Sequence, residues 1–455
     1  MVTGTPRVRL VVLDYQGGDD VVRCVEALSQ LDWPADRREI VVVDNASTDG
    51  SAARIERRFR GVRIVRNDRN TGFPANNLAL ADLDGVDYVG LVNQDSFVEP
   101  GWLRPLVAAL DADDRLGAVS ARLLLAERYV DVVLDAPTTA AGWPDRRALG
   151  VQVSGARVGG RDVWSDVHAA GGSWGIEHDR RLGPLWWTTD HAVVRLPVAG
   201  DEAASGRGGA PVTGELRLAA PSCRTVTLRC GDAEVRAEVG PDTAWVAVPL
   251  AASPRDIVNN AGSVVSTDGF GADRGYGEPA EGRYEQPADL FAWSGGSVLL
   301  RPSYLADVGL FDERFFLYYE DTDLSWRGRR RGWRYRYVPG AVARHRHATS
   351  TGVASAAFQY YTERNRLLML LKNAPARMVA AAVGRYLLVT LSYARRDLVA
   401  PLLGGRRPRP EQVRRRLRSF AGVVRLAPAM VAARRVERRA ATVSDGEVSA
   451  GLTPR

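Results

Sequence analysis

Short runs of β-branched residues that alternate with helical segments constrain the fold of this chain most strongly. The run Val8–Leu13 ends at the polar turn 14–18 and leads into a helical pattern, and Ile40–Val43 leads into a second one in the same way. A third apolar run covers Val62–Val65. Runs this apolar are typical of parallel strands that are buried on both faces. The first third of the chain is therefore predicted to be an α/β unit with a parallel sheet.

Polar side chains follow these strands at their carboxyl ends, where open α/β sheets bind ligands. Asp14 and Tyr15 end the first strand, Asp44 and Ser47 follow the second, and Asp95 ends a later buried run. Asp14 and Asp44 are candidates to accept hydrogen bonds from a base or a ribose, although the second cluster is equally consistent with a simple turn. A carboxylate such as Asp95 is well placed to hold a hard divalent cation against phosphates.

Two common nucleotide-binding classes lack support. The sequence has no Walker loop with its lysine, and no G-x-G-x-x-G follows the first strand, so a P-loop NTPase and a dinucleotide enzyme are disfavoured. The three cysteines form neither a disulfide framework nor a metal-spaced cluster, which fits a reducing cytoplasm.

Between about residues 129 and 255 the pattern changes to short alternating runs separated by glycine and proline. Examples are Val151–Val153, Leu216–Leu218 and Trp245–Val248. Period-two runs between turns indicate a small antiparallel sandwich or barrel. We therefore predict an inserted β-sandwich-like domain, in which most tryptophans pack in the core rather than stack on sugars.

These motifs together resemble the family 2 glycosyltransferases of the GT-A fold, close to the rhamnosyl- and galactosyltransferase-like members that build bacterial surface polysaccharides. The resemblance rests on the end of the first strand, on the polar turn 44–51, on the loop 70–76 and on Asn-Gln-Asp at 93–95. It implies a nucleotide-sugar site formed by Asp14, Tyr15, Asp44, Ser47, Asn70, Gly72, Phe73, Asn76, Asn93, Gln94 and Asp95. Within this set it implies that Asp44 reads the nucleotide base and that Asp95 is the metal-binding residue of a degenerate Asp-x-Asp motif.

Three acids, Glu320, Asp321 and Asp323, stand between an aromatic run and a helical segment. By themselves they are typical of an acidic helix cap. Sugar transfer, however, requires a base that takes the proton from the acceptor hydroxyl. The resemblance assigns this role to Asp321 with Glu320 beside it, and crowding of the acids is expected to raise the pKa of the base. Asp323 is more consistent with a structural acid in the first turn.

Acceptor-side and metal-side residues complete the predicted site. Glycines at 295 and 296 let the backbone approach a ligand, and the resemblance implies that Trp293, Gly295 and Gly296 form the acceptor wall. His345 is a candidate to join Asp95 on a Mg²⁺ or Mn²⁺ ion, or to touch the diphosphate directly.

The segment that opens at Phe358 lacks the Gln-x-x-Arg-Trp motif of processive relatives, so single-sugar addition is favoured over polymerisation. Arg364 in this segment is a candidate phosphate contact.

The C-terminal part is strongly basic. The net charge is +7, and Lys372 is the only lysine. Residues 375–442 combine apolar positions with interleaved arginines, which indicates amphipathic helices on an anionic membrane surface or, alternatively, ordinary packed helices. No signal peptide and no apolar run of about 18 residues is present, so a membrane-spanning helix is not expected. Residues 443–455 are predicted to be disordered.

The predicted architecture is α/β: a GT-A nucleotide-sugar-binding half at 1–128, the β-rich insert at 129–255, an acceptor and catalytic half at 256–374, and the basic helices. The implied function is inverting transfer of a sugar from a dTDP- or UDP-linked donor to a lipid-linked or growing cell-envelope polysaccharide, at the inner face of the cell membrane and without nucleic acid. A glycan-binding scaffold with a degenerate transferase domain is the alternative. A sugar nucleotidyltransferase is disfavoured because no glycine-rich pyrophosphate loop follows the first strand.

Overall fold

The chain folds into two compact units. The computed structural model describes residues 4–142, 145–179, 181–199, 212–346, 355–405 and 407–454, with the side chain of His178 left out. The first unit consists of Met1–Leu124, Asn259–Tyr276 and Arg283–Arg455, and the second of Leu125–Val258 with Gly277–Gly282. The domain boundaries drawn from the sequence stay a prediction.

The strands are β1 (Val8–Asp14), β2 (Arg38–Asp44), β3 (Arg63–Arg66), β4 (Tyr88–Asn93), β5 (Ser96–Val98), β6 (Leu116–Leu125), β7 (Arg128–Asp135), β8 (Thr139–Ala140), β9 (Ala148–Leu149), β10 (Gln152–Val158), β11 (Arg161–Asp162), β12 (His168–Asp179), β13 (Gly183–Val198), β14 (Thr213–Ala219), β15 (Arg224–Cys230), β16 (Ala233–Val239), β17 (Ala244–Pro249), β18 (Val258–Asn260), β19 (Ser263–Val265), β20 (Gly271–Asp273), β21 (Ala288–Leu290), β22 (Ser297–Leu300) and β23 (Arg334–His345). The α-helices are α1 (Gly18–Ser29), α2 (Ser51–Arg58), α3 (Asn77–Leu80), α4 (Leu103–Asp111), α5 (Pro302–Val308), α6 (Glu320–Arg330), α7 (Ala356–Asn373), α8 (Ala376–Ala394), α9 (Ala400–Leu403), α10 (Glu411–Arg439) and α11 (Asp445–Ala450).

The first unit is built on a mixed sheet in the order β21-β23-β6-β22-β4-β1-β2-β3. Strands β1, β2, β3 and β4 are parallel, and their register places Asp14 opposite Asp44 and Leu13 opposite Asn93. The carboxyl ends of these strands therefore meet at one edge of the sheet, as the apolar runs predict. The predicted α/β fold with a β-rich insert and a helical C-terminal segment is confirmed.

The C-terminal helices pack against the rest of the first unit through an apolar cluster. Leu367 and Leu370 of α7, Met378 of α8 and Met430 of α10 are buried in it. Within the described part of the chain, every helix is too short or too polar to cross a bilayer.

The expectation of a disordered tail at 443–455 is wrong for the described residues. Helix α11 begins with a capping box, because the Ser444 hydroxyl accepts from the Glu447 N–H while Glu447 accepts from the Ser444 N–H. Val448 and Leu452 are buried in the same cluster as the C-terminal helices. Their burial offsets the polar composition on which the expectation rested.

The second unit is an antiparallel sheet of nine strands in its described residues, in the order β16-β15-β7-β13-β10-β14-β17, with β11 and β12 at its sides. Its core includes Leu196, Leu216 and Val248, and Trp186 stacks on Trp164 at 4.6 Å between ring centroids. These two tryptophans pack against the core, as the sequence predicts, whereas the Trp174 side chain is exposed.

Candidate active site

Asp14 and Asp44 lie at the carboxyl edge of the first sheet. Asp14 is fully buried; its Oδ2 accepts from the Ser51 hydroxyl at 2.6 Å and its Oδ1 from the Gly17 N–H at 3.1 Å. Asp44 Oδ1 accepts from the Ser47 N–H at 2.9 Å, and the Ser47 hydroxyl donates to the Asp14 carbonyl at 3.3 Å. Asp14 therefore organises the two turns, because both of its carboxylate oxygens already accept protein hydrogen bonds.

Burial raises the pKa of Asp14 to about 6, although the bonds from Ser51 and Gly17 oppose the rise. In the unfolded chain the group titrates near 3.8, so the folded state binds the proton more tightly and loses stability as the pH rises from about 4 to about 6. Asp14→Asn removes this loss. We expect the free energy of unfolding of the variant, relative to the wild type, to rise by about 2–3 kcal/mol between pH 4 and pH 7 in urea titrations. A difference that stays constant with pH would contradict this expectation.

Asn45, which the sequence interpretation did not single out, is the centre of a buried amide network. Its Nδ2 donates to Asn70 Oδ1 at 2.9 Å, and its Oδ1 accepts from Asn67 Nδ2 at 2.9 Å and from the Thr71 N–H at 3.1 Å. Asn70 Oδ1 also accepts from the Gly72 N–H at 2.9 Å. The network fixes the loop that carries Gly72. The position of Asn45 directly after Asp44 was the available signal.

The remaining nucleotide-side residues divide between surface and interior. The Tyr15 N–H donates to Gln94 Oε1 at 2.7 Å and Gln94 Nε2 donates back to the Tyr15 carbonyl at 3.2 Å, while the Tyr15 side chain is exposed. Asn76 is buried, and its Nδ2 donates to the Phe73 carbonyl at 2.8 Å. Phe73 and Asn93 line the central cavity described below. Asn76 thus positions the loop from inside.

Asp95 and His345 are brought together at the end of the sheet, although they lie far apart in sequence. Asp95 Oδ1 and His345 Nε2 are 3.0 Å apart, and His345 Nδ1 is 2.9 Å from Asn259 Oδ1. Burial alone would lower the pKa of His345, but the Asp95 charge and hydrogen bond outweigh it and raise the pKa. Asn259 was missed by the sequence interpretation. It holds the imidazole so that Nε2 faces the carboxylate.

Glu320 and Asp321 form the first turn of α6 and line the central cavity. Asp321 Oδ1 accepts from the Thr322 N–H at 2.6 Å and Oδ2 from the Gly295 N–H at 3.2 Å. Burial raises the pKa of Asp321, and burial together with the Asp321 charge raises the pKa of Glu320 well above its usual range. Glu320 Oε2 is buried without a hydrogen-bond partner among the described residues. Glu320 therefore holds a proton more tightly than Asp321 does.

The loop that leads into this pair has a strained backbone. The backbone φ values of Phe316, Tyr318 and Tyr319 are 67°, 69° and 69°, in a region that residues other than glycine rarely adopt. Asn365 Nδ2 donates to the carbonyls of Phe315, Leu317 and Tyr318, each at 2.8 Å. Asn365 therefore holds the loop in the conformation that presents Glu320 and Asp321.

Arg364, a candidate phosphate contact by sequence, is instead committed to the same loop. Its Nη2 donates to the carbonyls of Arg314 at 2.9 Å and Phe315 at 2.8 Å, and its Nε donates to Asn365 Oδ1 at 2.8 Å. Its side chain is buried. The sequence could not show this because the acceptors are backbone carbonyls of a distant loop.

Gly72 brings the nucleotide side against this loop. A Cβ at position 72 would lie 1.9 Å from the Phe316 carbonyl oxygen, and the Phe73 N–H donates to that oxygen at 2.7 Å. Only glycine fits so close to the backbone at a φ of 74°. The loop 70–73 and the loop 315–319 are therefore in direct contact.

The predicted acceptor wall is partly corrected. Gly295 and Gly296 line the cavity, and a Cβ at 295 would lie 2.5 Å from the Phe73 ring. Trp293, in contrast, is fully buried, with its N–H near the Ser325 hydroxyl and its indole against Tyr304. Its predicted place in the wall is wrong, since this bulky ring, four residues before strand β22, fills the core instead.

Asp323 is structural, as its first-turn position indicates. It is fully buried; Oδ2 accepts from Arg327 Nε at 2.9 Å and from Lys372 Nζ at 2.8 Å, and Oδ1 accepts from Asn373 Nδ2 at 2.8 Å. Lys372 Nζ also donates to Asp312 Oδ2 at 2.8 Å. This buried ionic network ties α6 to α7 beneath the turn that carries Glu320 and Asp321.

One cavity of about 800 Å³ in the first unit connects these groups. Asn93, His345, Gly295, Glu320 and Asp321 all line it. Its size lies within the range of small-molecule and cofactor sites. A nucleotide-side residue, a metal-side candidate and two catalytic candidates therefore face a common space.

Two side chains near this cavity are candidates to bind a divalent cation. No group of three or more His, Cys, Asp or Glu side chains with metal-binding geometry occurs among the described residues. Asp95 and His345 supply one carboxylate and one imidazole at a shared point. Mg²⁺ and related ions are commonly held by one or two protein ligands together with substrate phosphates, so this pair fits such an ion.

The family described as Glycosyl transferase family 2 matches residues 10–124. Two curated proteins from Mycobacterium tuberculosis, strains CDC 1551 / Oshkosh and ATCC 25618 / H37Rv, both named N-acetylglucosaminyl-diphospho-decaprenol L-rhamnosyltransferase, are 49% identical to this chain over 71 residues. The match covers 15% of this chain and 23% of each relative, so the chain spans about a quarter of the length of the curated relatives it matches.

Two solved structures align over most of the chain. GalNAc-T7 with UDP, GalNAc and Mn²⁺ covers 94% of this chain and 57% of its own, at 12% identity and a TM-score of 0.46. Mannosyltransferase PcManGT from Pyrobaculum calidifontis, in complex with GDP-Man and Mn²⁺, covers 96% and 86%, at 12% identity and a TM-score of 0.39.

Proposed function

Because residues 10–124 match Glycosyl transferase family 2 and the first unit has a Rossmann-like α/β sheet, we propose that this chain is an inverting glycosyltransferase of the GT-A fold. In this proposal a sugar moves from a dTDP- or UDP-linked donor to a lipid-linked or growing cell-envelope polysaccharide. The observation that carries the proposal is the common cavity, in which Asp321 faces the same space as Asn93 and His345. The chain would work at the inner face of the cell membrane, with its basic helices against anionic lipid.

Asp321 is the proposed base. Its carboxylate takes the proton of the acceptor hydroxyl while that oxygen bonds to the anomeric carbon, and the bond from that carbon to the diphosphate oxygen breaks on the opposite face. The nucleoside diphosphate leaves with the electron pair, so the anomeric configuration inverts. The raised pKa makes Asp321 a stronger base than an exposed aspartate. The pKa of Glu320 beside it is raised well above its usual range, so Glu320 holds a proton more tightly than Asp321 does.

Asp95 and His345 would hold the divalent cation, and the loops around Asp44 and Asn70 would bind the nucleotide. When bound, such an ion neutralises charge that develops on the leaving diphosphate. Asn259 keeps the His345 ring oriented through Nδ1. The other nucleotide-side residues, Tyr15, Ser47, Gly72, Phe73, Asn76 and Gln94, shape the loops at this edge.

Donor binding with and without manganese tests the proposal. We expect a dTDP- or UDP-sugar to raise the thermal unfolding midpoint of the wild type, and to raise it further with MnCl₂. His345→Ala should keep the first shift and lose most of the manganese-dependent part, because one of two proposed protein ligands is gone. Asp36→Ala, at an exposed side chain in the turn before β2, is the control. If no nucleotide sugar shifts the midpoint, the glycan-binding scaffold becomes the better interpretation.

A further inference from the structure

The central cavity extends beyond Glu320 and Asp321 to a wall that the C-terminal helices build. Glu363 and Arg366 from α7, Arg385, Tyr386 and Val389 from α8, and Arg416 from α10 line this wall. The family match ends at residue 124, so nothing in it assigns a role to these residues. Their chemistry differs from the amide-rich nucleotide side, because three of the six are cations.

Arg366 is a buried cation without a carboxylate partner. It is 6% exposed, its Nη1 donates to the Asp268 carbonyl at 3.1 Å, and its guanidinium lies 4.1 Å from the centroid of the Phe270 ring. In the described part of the chain no carboxylate lies within ion-pair distance of it; burial lowers its pKa, and the more distant charges of Asp268 and Glu363 only partly oppose the fall. A buried charge that lacks a counter-ion is costly unless a ligand supplies one.

The neighbouring charges on the wall are already matched. Glu363 accepts from Arg416 Nη1 at 2.9 Å and from the Tyr386 hydroxyl at 2.9 Å. Arg385 Nη1 donates to Asp268 Oδ2 at 2.7 Å. Glu363 and Asp268 thus already have cationic partners, and Arg366 is the cation of this wall that has no such ion pair among the described residues.

The outer side of α8 is apolar and exposed. Leu387, Leu388 and Leu391 are exposed, whereas Arg385 and Val389 of the same helix line the cavity. The positive end of the cavity therefore adjoins a strip of exposed leucines on one helix. An anionic group attached to a hydrocarbon chain matches both features, whereas a free polysaccharide matches neither.

We propose that Arg366, assisted by Arg385, binds the phosphate or diphosphate of a polyprenyl-linked acceptor whose sugar reaches Asp321 and whose hydrocarbon chain lies along the α8 leucines. This inference rests on the proposed transferase function and selects the lipid-linked acceptor over the growing polysaccharide. Arg366 presents a planar set of N–H donors suited to phosphate oxygens.

Binding of geranylgeranyl diphosphate to the full chain, measured by titration calorimetry, tests the inference. We expect the wild type to bind it more tightly than inorganic pyrophosphate or geranylgeraniol. Arg366→Gln should weaken it by about tenfold or more, through loss of charge-assisted hydrogen bonds, and Arg366→Lys by less. Arg385→Gln, at a half-exposed side chain, should weaken it several-fold. Arg396→Gln, in an exposed pair with Asp397, is the matched control and should change nothing.

Three outcomes would overturn the inference. Unchanged affinity for geranylgeranyl diphosphate in both Arg366→Gln and Arg385→Gln would show that neither arginine binds the phosphate groups. Weaker binding of UDP with MnCl₂ in Arg366→Gln would assign the cation to the donor diphosphate. Equal affinity of the wild type for inorganic pyrophosphate and geranylgeranyl diphosphate would exclude the hydrocarbon contact. Failure of nucleotide sugars to bind, with the prenyl diphosphate results as expected, would reject the transferase function and leave the anion site standing.

Discussion

Asp321→Asn is expected to lower the rate of sugar transfer by about a thousandfold or more, within the upper range that general-base catalysis contributes. Asn cannot take a proton at neutral pH, whereas its side-chain oxygen can still accept the Thr322 N–H bond that Asp321 Oδ1 accepts now. The measurement is single-turnover transfer from a radiolabelled nucleotide sugar. Donor affinity should change little, because Asp321 accepts hydrogen bonds from Thr322 and Gly295 rather than from the loops at the ends of β1 and β2.

Glu320→Gln is the matched comparison, since it removes a neighbouring carboxyl of similar burial. We expect a smaller loss, because Gln keeps the size of the Glu320 side chain and the proposed mechanism gives Glu320 no proton to accept. A larger loss in Glu320→Gln than in Asp321→Asn would transfer the role of base to Glu320. Turnover retained by Asp321→Asn would reject the assignment altogether.

Local sequence patterns predicted the parts of the site that a single strand or turn determines. The apolar runs placed Asp14 and Asp44 at the ends of adjacent parallel strands, and the structure pairs these residues in register. The roles of these residues in binding stay predictions. Asp95 and His345 were paired through the resemblance rather than through spacing, because the contact between them depends on the closure of the whole sheet.

Contacts that depend on tertiary packing could not be read from the sequence. Trp293 is a residue type that suits the wall of a ligand site. Its burial, however, depends on Tyr304 and Ser325, which approach from other elements. Asn365 binds three backbone carbonyls of a loop about fifty positions earlier, and carbonyls leave no trace in side-chain identity. Local rules fail here because the strained loop 315–319 persists only while distant groups hold it.

Lys372, the single lysine, also makes contacts that depend on tertiary packing, and its substitution is expected to have a large effect on stability. Lys372→Met is expected to destabilise the first unit by about 3–5 kcal/mol, the usual cost of removing one partner from a buried charge cluster. The Lys372 side chain is 4% exposed and its Nζ lies 2.8 Å from both Asp312 Oδ2 and Asp323 Oδ2. Without it the two buried carboxylates lose the cation that they share. Asp312 then retains only its ion pair with Arg314, and Asp323 only its ion pair with Arg327.

Urea unfolding followed by intrinsic tryptophan fluorescence measures this loss as a lower midpoint, because Trp326 is buried in the helix that carries Asp323. Arg396→Met is the control: its pair with Asp397 is exposed on the arginine side, so its removal should cost less than about 1 kcal/mol. Equal midpoints for Lys372→Met and Arg396→Met would show that the network contributes little. A lower midpoint accompanied by weaker transfer at low urea would further tie this network to the turn that presents Glu320 and Asp321.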